Sequence, residues 1–399
     1  MIQKPHILIV GAGLGGLAAG LGLLRAGFDV DIYEQTSVLG EVGAGVQISS
    51  NGNSALFHLG LEAPARHWGV TAEDKLVRHW KTGQSWSIYE RMGNSQASYN
   101  YPMLMLHRAD LHSMLVESVK AIKPDAIHLN KRTVDFEQRG GTVELVFEDG
   151  ERASGDVLIG ADGLHSRIRH QMFGPAVARF SGTIIWRCMV EASKLSAAQL
   201  RPVATNWLGP KAHVTTYPVR RSEIFNMGGQ VDRDDWQVES WVTEGTRDEC
   251  LADFPGWNEE VVDALGKSKK FYKWGIFIRD PLPAWNIGRV TLLGDSCHAM
   301  IPYLGQGANM AIEDGVVLSR CFEKSEGDPD DALARYEKAR LERTTRVVNG
   351  SASMVGTNHS MRLADPVDSI KYIESQWEPG KAVARYDWIL NYDASSVPV

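Results

Sequence analysis

The stretch LIVGAGLGGLAAG, residues 8–20, sets five glycines directly behind a short apolar run. HILIV reads as a buried strand, Gly11 to Gly16 as a turn, LAAGLGLLRAGF as a helix and DVDIYE as a second strand. Residues 6–34 therefore read as a βαβ unit. Gly11, Gly13 and Gly16 satisfy G-x-G-x-x-G, with Leu14 inside the loop. The first glycine permits a tight turn, the second lets backbone approach a pyrophosphate, and the third lets helix and strand pack closely. Unpaired N–H groups and the positive end of the helix dipole then face the phosphates. Glu34 lies 18 residues after Gly16, where an acid accepts hydrogen bonds from an adenosine ribose. A ligand-free turn would carry the same glycines at roughly 0.5–1 kcal/mol each for nothing. The motif calls for a dinucleotide and leaves NAD(P) and FAD both open.

The remaining bulk properties narrow the class. A chain of 399 residues has room for about two or three domains. Its net charge of −7 lacks the basic footprint of a nucleic-acid binder. Cys188, Cys250, Cys297 and Cys321 lie far apart with no C-x-x-C pair, which fits a reduced, intracellular protein and disfavours a disulfide reductase. The N-terminal apolar run is too short for a signal peptide, and no stretch approaches the roughly 18 apolar residues of a membrane helix. We expect a cytoplasmic protein, monomer or homodimer, with neither nucleic acid nor membrane as partner.

Two further strand ends carry acids. DVLIGADGLHSRIR, from Asp156, places Asp162-Gly163 after a buried strand, and RVTLLGDSCHAMIPYLGQGANMAIED, from Arg289, places Gly294-Asp295 after another. The carboxyl ends of strands are where open α/β sheets hold ligands. Helices are expected from about Asp110, over GANMAIEDGVVLSRCFEK, and over DALARYEKARLERTTRVV. Between about 176 and 272, FSGTIIWRCMVE, HVTTYPVRR and EIFNMGGQV read as widely spaced strands of an antiparallel sheet.

These motifs together resemble one family. GAGLGG with Glu34, ADGLHSRIR, and LLGDSCHAMIPYLGQGANMAIED, supported by LGEVGAGVQIS and HRADLH, are similar to the single-component FAD-dependent aromatic hydroxylases, the group A flavoprotein monooxygenases. The likeness covers nearly the whole chain and is nearest to the branch acting on salicylate, hydroxybenzoates and hydroxynicotinate. It implies an α/β fold: a Rossmann-like FAD-binding domain with G-x-G-x-x-G, DG and GD motifs, and a second, mainly antiparallel β-sheet substrate domain. The expected boundaries are 1–175 with 273–350 for the flavin, 176–272 for the substrate, and a C-terminal helical segment over 351–399.

By the same resemblance Gly11, Gly13, Leu14 and Gly16 meet the pyrophosphate of FAD and Glu34 its adenosine ribose. Arg108 touches the flavin's linker, Asp162 serves FAD and the transient visit of NADH or NADPH, and Asp295 meets the ribityl or pyrophosphate region. The turn from Leu304, with Gly305, Gly307, Ala308 and Asn309, meets the isoalloxazine ring. The family's reaction reduces FAD with NAD(P)H, adds O2 as a flavin C4a-hydroperoxide, and passes one oxygen to an electron-rich ring, in some members with decarboxylation. The protein orients the ring, excludes water and helps ionise the substrate phenol.

Histidine suits that last task. His213, Thr215, Tyr217 and Val219 share one face of a strand. The resemblance makes His213 the base or orienting group and Tyr217 its catalytic companion, with Thr215, Gln47 and Pro302 in the substrate pocket. Two departures from the family leave the substrate open among small hydroxylated benzoates and their pyridine analogues. Gln47 stands where the hydroxynicotinate pattern has a histidine, and Pro302 where the 3-hydroxybenzoate pattern has a glutamine. His298 reads as a loop brace, Cys297 as a small buried residue, and Arg187 and Arg220 as surface ion pairs or carboxylate anchors. Trp186, Trp207 and Trp274 are candidate pocket walls. A non-oxygenating FAD oxidase or reductase, an NAD(P)-dependent dehydrogenase and a non-catalytic flavoprotein are the competing readings.

Overall fold

The computed structural model describes residues 4–40, 44–94, 98–175, 178–234 and 243–399. Its first sheet has six strands in the order 286–287, 290–292, 157–160, 6–10, 29–33, 127–128. All neighbours run parallel except the first pair. HILIV becomes the central strand His6–Val10 because Ile7, Leu8 and Ile9 meet no solvent on either face. Each such buried side chain contributes about 1.5–3 kcal/mol. The helix Leu14–Arg25 follows, buried from Leu14 to Leu24. It lies so close to the helix Gly307–Lys324 that a Cβ on Gly315 would come 2.5 Å from the Ala19 nitrogen. A small three-stranded antiparallel sheet over Thr133–Gly155 flanks this layer.

The second large sheet has eight strands, ordered 243–245, 271–278, 179–191, 224–232, 212–219, 203–209, 74–79, 85–87. Every pairing is antiparallel except that between Val203–Gly209 and Asp74–His79. The three strands read from the sequence in this region are present. The membership is wider than expected: the strands 74–79 and 85–87 come from the segment assigned to the flavin domain, and Phe271–Ile278 crosses the expected boundary at 272. The strand DKLVRH was missed because its charged residues mask the alternation. Arg78 lies 3.8 Å over the Trp207 ring and pairs with Glu260.

One face of this sheet packs on the C-terminal helices through an aromatic cluster that includes Trp274, Tyr303, Tyr372, Trp377 and Tyr386. The other face packs on Phe254, Trp257 and the helix Glu259–Gly266. The long helix Pro329–Asn358 runs through the expected boundary at 350, and Asp368–Gln376 and Pro379–Leu390 follow it. Its start is fixed by Asp328, whose carboxylate accepts from the Asp330 and Asp331 N–H groups. The helix expected from about Asp110 begins two residues earlier, at Arg108. Among the described residues no helix is long and apolar enough to cross a membrane.

The glycine turn is packed backbone against backbone. A Cβ on Gly16 would sit 2.0 Å from the Gly11 carbonyl oxygen, and backbone cannot move aside as a side chain can. Gly16→Ala is expected to lose about 3 kcal/mol or more of stability. Urea denaturation of the purified variant checks this, and an unchanged midpoint would contradict the packing described.

Candidate active site

The three signature motifs meet because their strands end in one register. Tyr33, Val10, Gly160 and Leu292 lie side by side across the parallel sheet. Beyond that row the turns are stitched together: Gly11 N–H donates to the Tyr33 carbonyl at 2.8 Å, Ala161 to Val10 at 2.8 Å, and Leu293 to Gly160 at 3.0 Å. The chain turns away from the three central strand ends through glycines of positive φ, Gly11 at 108°, Gly163 at 75° and Gly294 at 69°.

Each turn is braced. Glu34 accepts the N–H groups of Ala12 and Thr36, both at 2.9 Å. His112, which the sequence reading had passed over, binds the Ala12 carbonyl through Nε2 at 2.8 Å from the helix Arg108–Ile122. Asp162 caps the next helix, its Oδ2 accepting from Arg167 at 2.7 Å and Ile168 at 3.2 Å. Among the described residues its Oδ1 is buried without a hydrogen-bond partner, and burial pushes its carboxyl pKa up. The third turn rests on an ion network. Asp314 accepts from Gly294 N–H at 3.2 Å, His298 Nε2 at 2.5 Å and Arg340 Nε at 2.7 Å. Arg340 and Arg343 also meet Glu313, whose side chain, like those of Asp314 and Arg340, is fully buried. Burial opposes both carboxylates, and the facing cations hold their pKa values low. His298 is thus the loop brace expected of it. The four network residues carried no recognisable spacing and were missed.

A cavity of about 340 Å³ runs from these turns to the eight-stranded sheet. Among the residues anticipated for cofactor and substrate, Gly13, Leu14, Gln47, Arg108, Thr215, Tyr217, Asp295, Pro302, Gly305, Gly307 and Ala308 line it. Gly11, Gly16, Glu34 and Asp162 stand behind the lining and shape it. Asn309 does the same. It is wholly buried, its oxygen accepts from Ser49 N–H at 3.0 Å, and its nitrogen donates to the carbonyls of Gln47 at 3.1 Å and Gly305 at 2.8 Å.

The far wall is the sheet face that alternation had pointed to. Arg187, Gly228 and Thr215 form one cross-strand row, Ile185, Gln230 and His213 the next, and Met189, Asn226 and Tyr217 a third. Thr215 donates its hydroxyl to Asn206 at 2.9 Å. Tyr217 is buried against Gly45, where a Cβ would come 2.6 Å from its ring. Burial pushes its phenol pKa up, so it stays protonated, and among the described residues its hydroxyl has no hydrogen-bond partner. Arg187 lies 4.0 Å over the Trp274 ring and lines the cavity. Trp186 and Trp207 pack on the opposite face. Arg220 pairs with Asp110 and does not reach the cavity.

His213 departs from the expected arrangement. It shares the face with Thr215 and Tyr217, yet its ring is 1% exposed and lies behind Gln230, outside the cavity lining. The Tyr303 ring covers it edge-on with centroids 4.6 Å apart. Burial and the neighbouring His359 hold its pKa well below the usual value, so the imidazole is neutral. Alternation fixes the face a side chain occupies; it says nothing of how far the neighbouring loop extends over it.

The cradle suits a flavin dinucleotide. A Cβ at Gly13, Gly163, Gly305 or Gly307 would meet nothing within 4 Å, so open space lies above the first two turns and the loop before the helix Gly307–Lys324. The orphaned Asp162 oxygen supplies an acceptor for a ribityl or ribose hydroxyl. Comparison with known proteins agrees. Residues 4–351 match the FAD binding domain family, and the chain belongs to it. It is 33% identical over 396 residues to the 3-amino-4-hydroxybenzoate 2-monooxygenase PtnB3 of Streptomyces platensis, covering 99% of this chain and 98% of that one. It is 35% identical to the 6-hydroxynicotinate 3-monooxygenase of Pseudomonas fluorescens, over 87% of this chain and 90% of the relative. Among solved structures, a salicylate hydroxylase substrate complex superposes with a TM-score of 0.80 at 26% identity, covering 99% and 97% of the two chains. Klebsiella pneumoniae HpxO complexed with FAD and uric acid gives 0.79 at 27%, covering 94% and 95%.

These findings make the chain a flavoprotein of the FAD-dependent monooxygenase family. The glycine cradle yields a separable prediction. Gly13 has ordinary backbone angles and free space, so Gly13→Ala is expected to change the stability of the flavin-free protein by less than about 0.5 kcal/mol. Its methyl would enter the space that the glycine motif reserves for a pyrophosphate, and FAD affinity is expected to fall at least about tenfold. Fluorescence titration with FAD reads the second effect; unchanged affinity would remove Gly13 from the phosphate site.

Proposed function

We propose that this chain hydroxylates a small aromatic acid, with NADH or NADPH as reductant and O2 as oxygen source. Overall, ring C–H, O2, NAD(P)H and a proton become ring C–OH, water and NAD(P)+. The observation that carries this reading is the two-faced cavity. Flavin-cradling turns form one wall, and the other is a sheet face with a cation, a protonated phenol and an amide.

When bound, FAD accepts the hydride and activates O2. The chain itself must hold the ring, keep water out and manage one proton. Arg187 meets the substrate carboxylate, its guanidinium steadied on Trp274. Tyr217 donates a hydrogen bond from its free hydroxyl. The ring lies over Thr215 and the gap left by Gly228, with Gln47 and Pro302 bounding the flavin side. The next cross-strand row, with Gln230 and His213, is about 7 Å from the Arg187 row, a span that a hydroxylated benzoate bridges. Rotation of the Gln230 amide exposes His213 Nε2 to the substrate hydroxyl, and the neutral imidazole accepts its proton. A phenolate ring is the better nucleophile.

The relatives' names set the compounds to try: aminohydroxybenzoates, hydroxybenzoates, salicylate and hydroxypyridine carboxylates. At least one is expected to accelerate NAD(P)H oxidation with matching O2 uptake and a product carrying one atom of labelled oxygen. Stoichiometric peroxide without oxygenated product from every compound would contradict the reading. Arg187→Met removes a charge-assisted contact of about 1.5–3 kcal/mol, so KM for the acid should rise roughly 10–150-fold. A neutral phenol lacking the carboxylate should be nearly indifferent to the change.

A further inference from the structure

We infer that His359 and Asp232 complete a hydrogen-bonded chain behind the cavity that holds His213 in one tautomer and carries away the proton it receives. This rests on the reading of His213 as the proton acceptor. The residues come from three elements. His213 is in the strand Ala212–Val219, Asp232 ends Ile224–Asp232, and His359 caps the carboxyl end of the helix Pro329–Asn358. His359 Nδ1 lies 2.5 Å from Asp232 Oδ1, and His359 Nε2 lies 2.7 Å from His213 Nδ1.

The carboxylate fixes the donor nearest to it, and the rest of the series is assigned with both imidazoles neutral. It can only accept, so His359 carries a proton on Nδ1, and the neutral ring offers Nε2 as an acceptor. His213 must then donate from Nδ1, which leaves its Nε2 as a bare lone pair. The Gln230 amide agrees. In the orientation that satisfies it, its nitrogen donates to the His213 and Gly228 carbonyls at 3.1 and 2.8 Å and stands 3.2 Å from His213 Nε2. The two imidazole donors, His213 Nδ1 and His359 Nδ1, both point towards Asp232.

Burial gives the series an inside and an outside. His213 and His359 are 1% and 5% exposed, whereas the Asp232 side chain is 35% exposed. The backbone fixes the geometry: Lys211 N–H donates to the His359 carbonyl at 3.1 Å and Asp232 N–H to the Lys211 carbonyl at 2.8 Å. Tyr303, from the Pro302–Leu304 turn, seals the side with its hydroxyl 3.4 Å from His359 Nε2, and the Thr183 hydroxyl lies 3.4 Å from Asp232. Arg233, next to Asp232 in sequence, is paired with Asp253.

Proton movement along this series balances. The substrate O–H breaks as N–H forms at His213 Nε2. The His213 Nδ1 proton passes to His359 Nε2, and the His359 Nδ1 proton passes to Asp232, which exchanges with water. No charge stays on a buried imidazole. The reverse passage, on reprotonation of the product, restores both tautomers. His359 and Asp232 are positioning residues, since neither lines the cavity.

The test reads ionisation without turnover. A nitro-substituted hydroxybenzoate, whose phenolate absorbs visible light, is bound to the FAD-loaded enzyme without reductant and titrated by difference spectra. Wild type is expected to ionise the bound phenol about tenfold more readily than H359Q or D232N, with D232E restoring wild-type behaviour. Far-downfield proton NMR should show the imidazole N–H signals of wild type and the loss of one in D232N, which needs no turnover and alters only a half-exposed side chain. If H359Q and D232N titrate as wild type while H213Q shifts, the chain is overturned and the His213 reading stands. If H213Q also titrates as wild type, the His213 reading fails and takes this inference with it.

Discussion

The alignment of four strand ends, Tyr33, Val10, Gly160 and Leu292, is the constraint on which the rest of the molecule depends. Parallel pairing puts the carboxyl ends of strands widely separated in sequence on one edge of a sheet. Glycines then turn the chain over that edge. Because the strands are buried on both faces, a slip of register would expose apolar side chains and scatter the motifs together. The site is therefore as well defined as the sheet's packing.

The third strand end needs additional support, because only the one-turn helix Asp295–His298 and a loop containing Pro302 and Gly305 follow it before the helix Gly307–Lys324. Asp314, Glu313, Arg340 and Arg343 supply that support from the helices Gly307–Lys324 and Pro329–Asn358. Such a network adds little net stability, since desolvation of the ions offsets most of their attraction. Its value lies in fixing one geometry: a carboxylate left without its guanidinium in this interior would be costly. The Gly294 turn and the flavin loop are thereby tied to the helices that also carry His359. The glycine turns and the sheet wall of the cavity share one scaffold.

What was legible in the sequence was local. Glycine spacing behind an apolar run identified each strand end, since turn chemistry depends on a few adjacent residues. Alternation in HVTTYPV put His213, Thr215 and Tyr217 on one face, as found. Relations across long separations were not legible. The strand Asp74–His79 joins the substrate sheet through a partner more than a hundred residues away, and its charges hide the pattern. His359 reaches His213 across 146 residues, and no spacing rule connects them. The depth of His213 depends on Tyr303, from a loop whose course over the sheet only the folded chain reveals.

The central claim is that one FAD lies across the aligned strand ends, its adenosine half at the Gly11–Gly16 turn and its ring near the Leu304–Asn309 loop. Titration of deflavinated protein with FAD, FMN and riboflavin tests it directly through quenching of flavin fluorescence. The account predicts one FAD per chain and binding of FMN and riboflavin weaker by orders of magnitude, since both lack the half that the first βαβ unit holds. Equal affinity for FMN and FAD, or no binding of FAD, would contradict it.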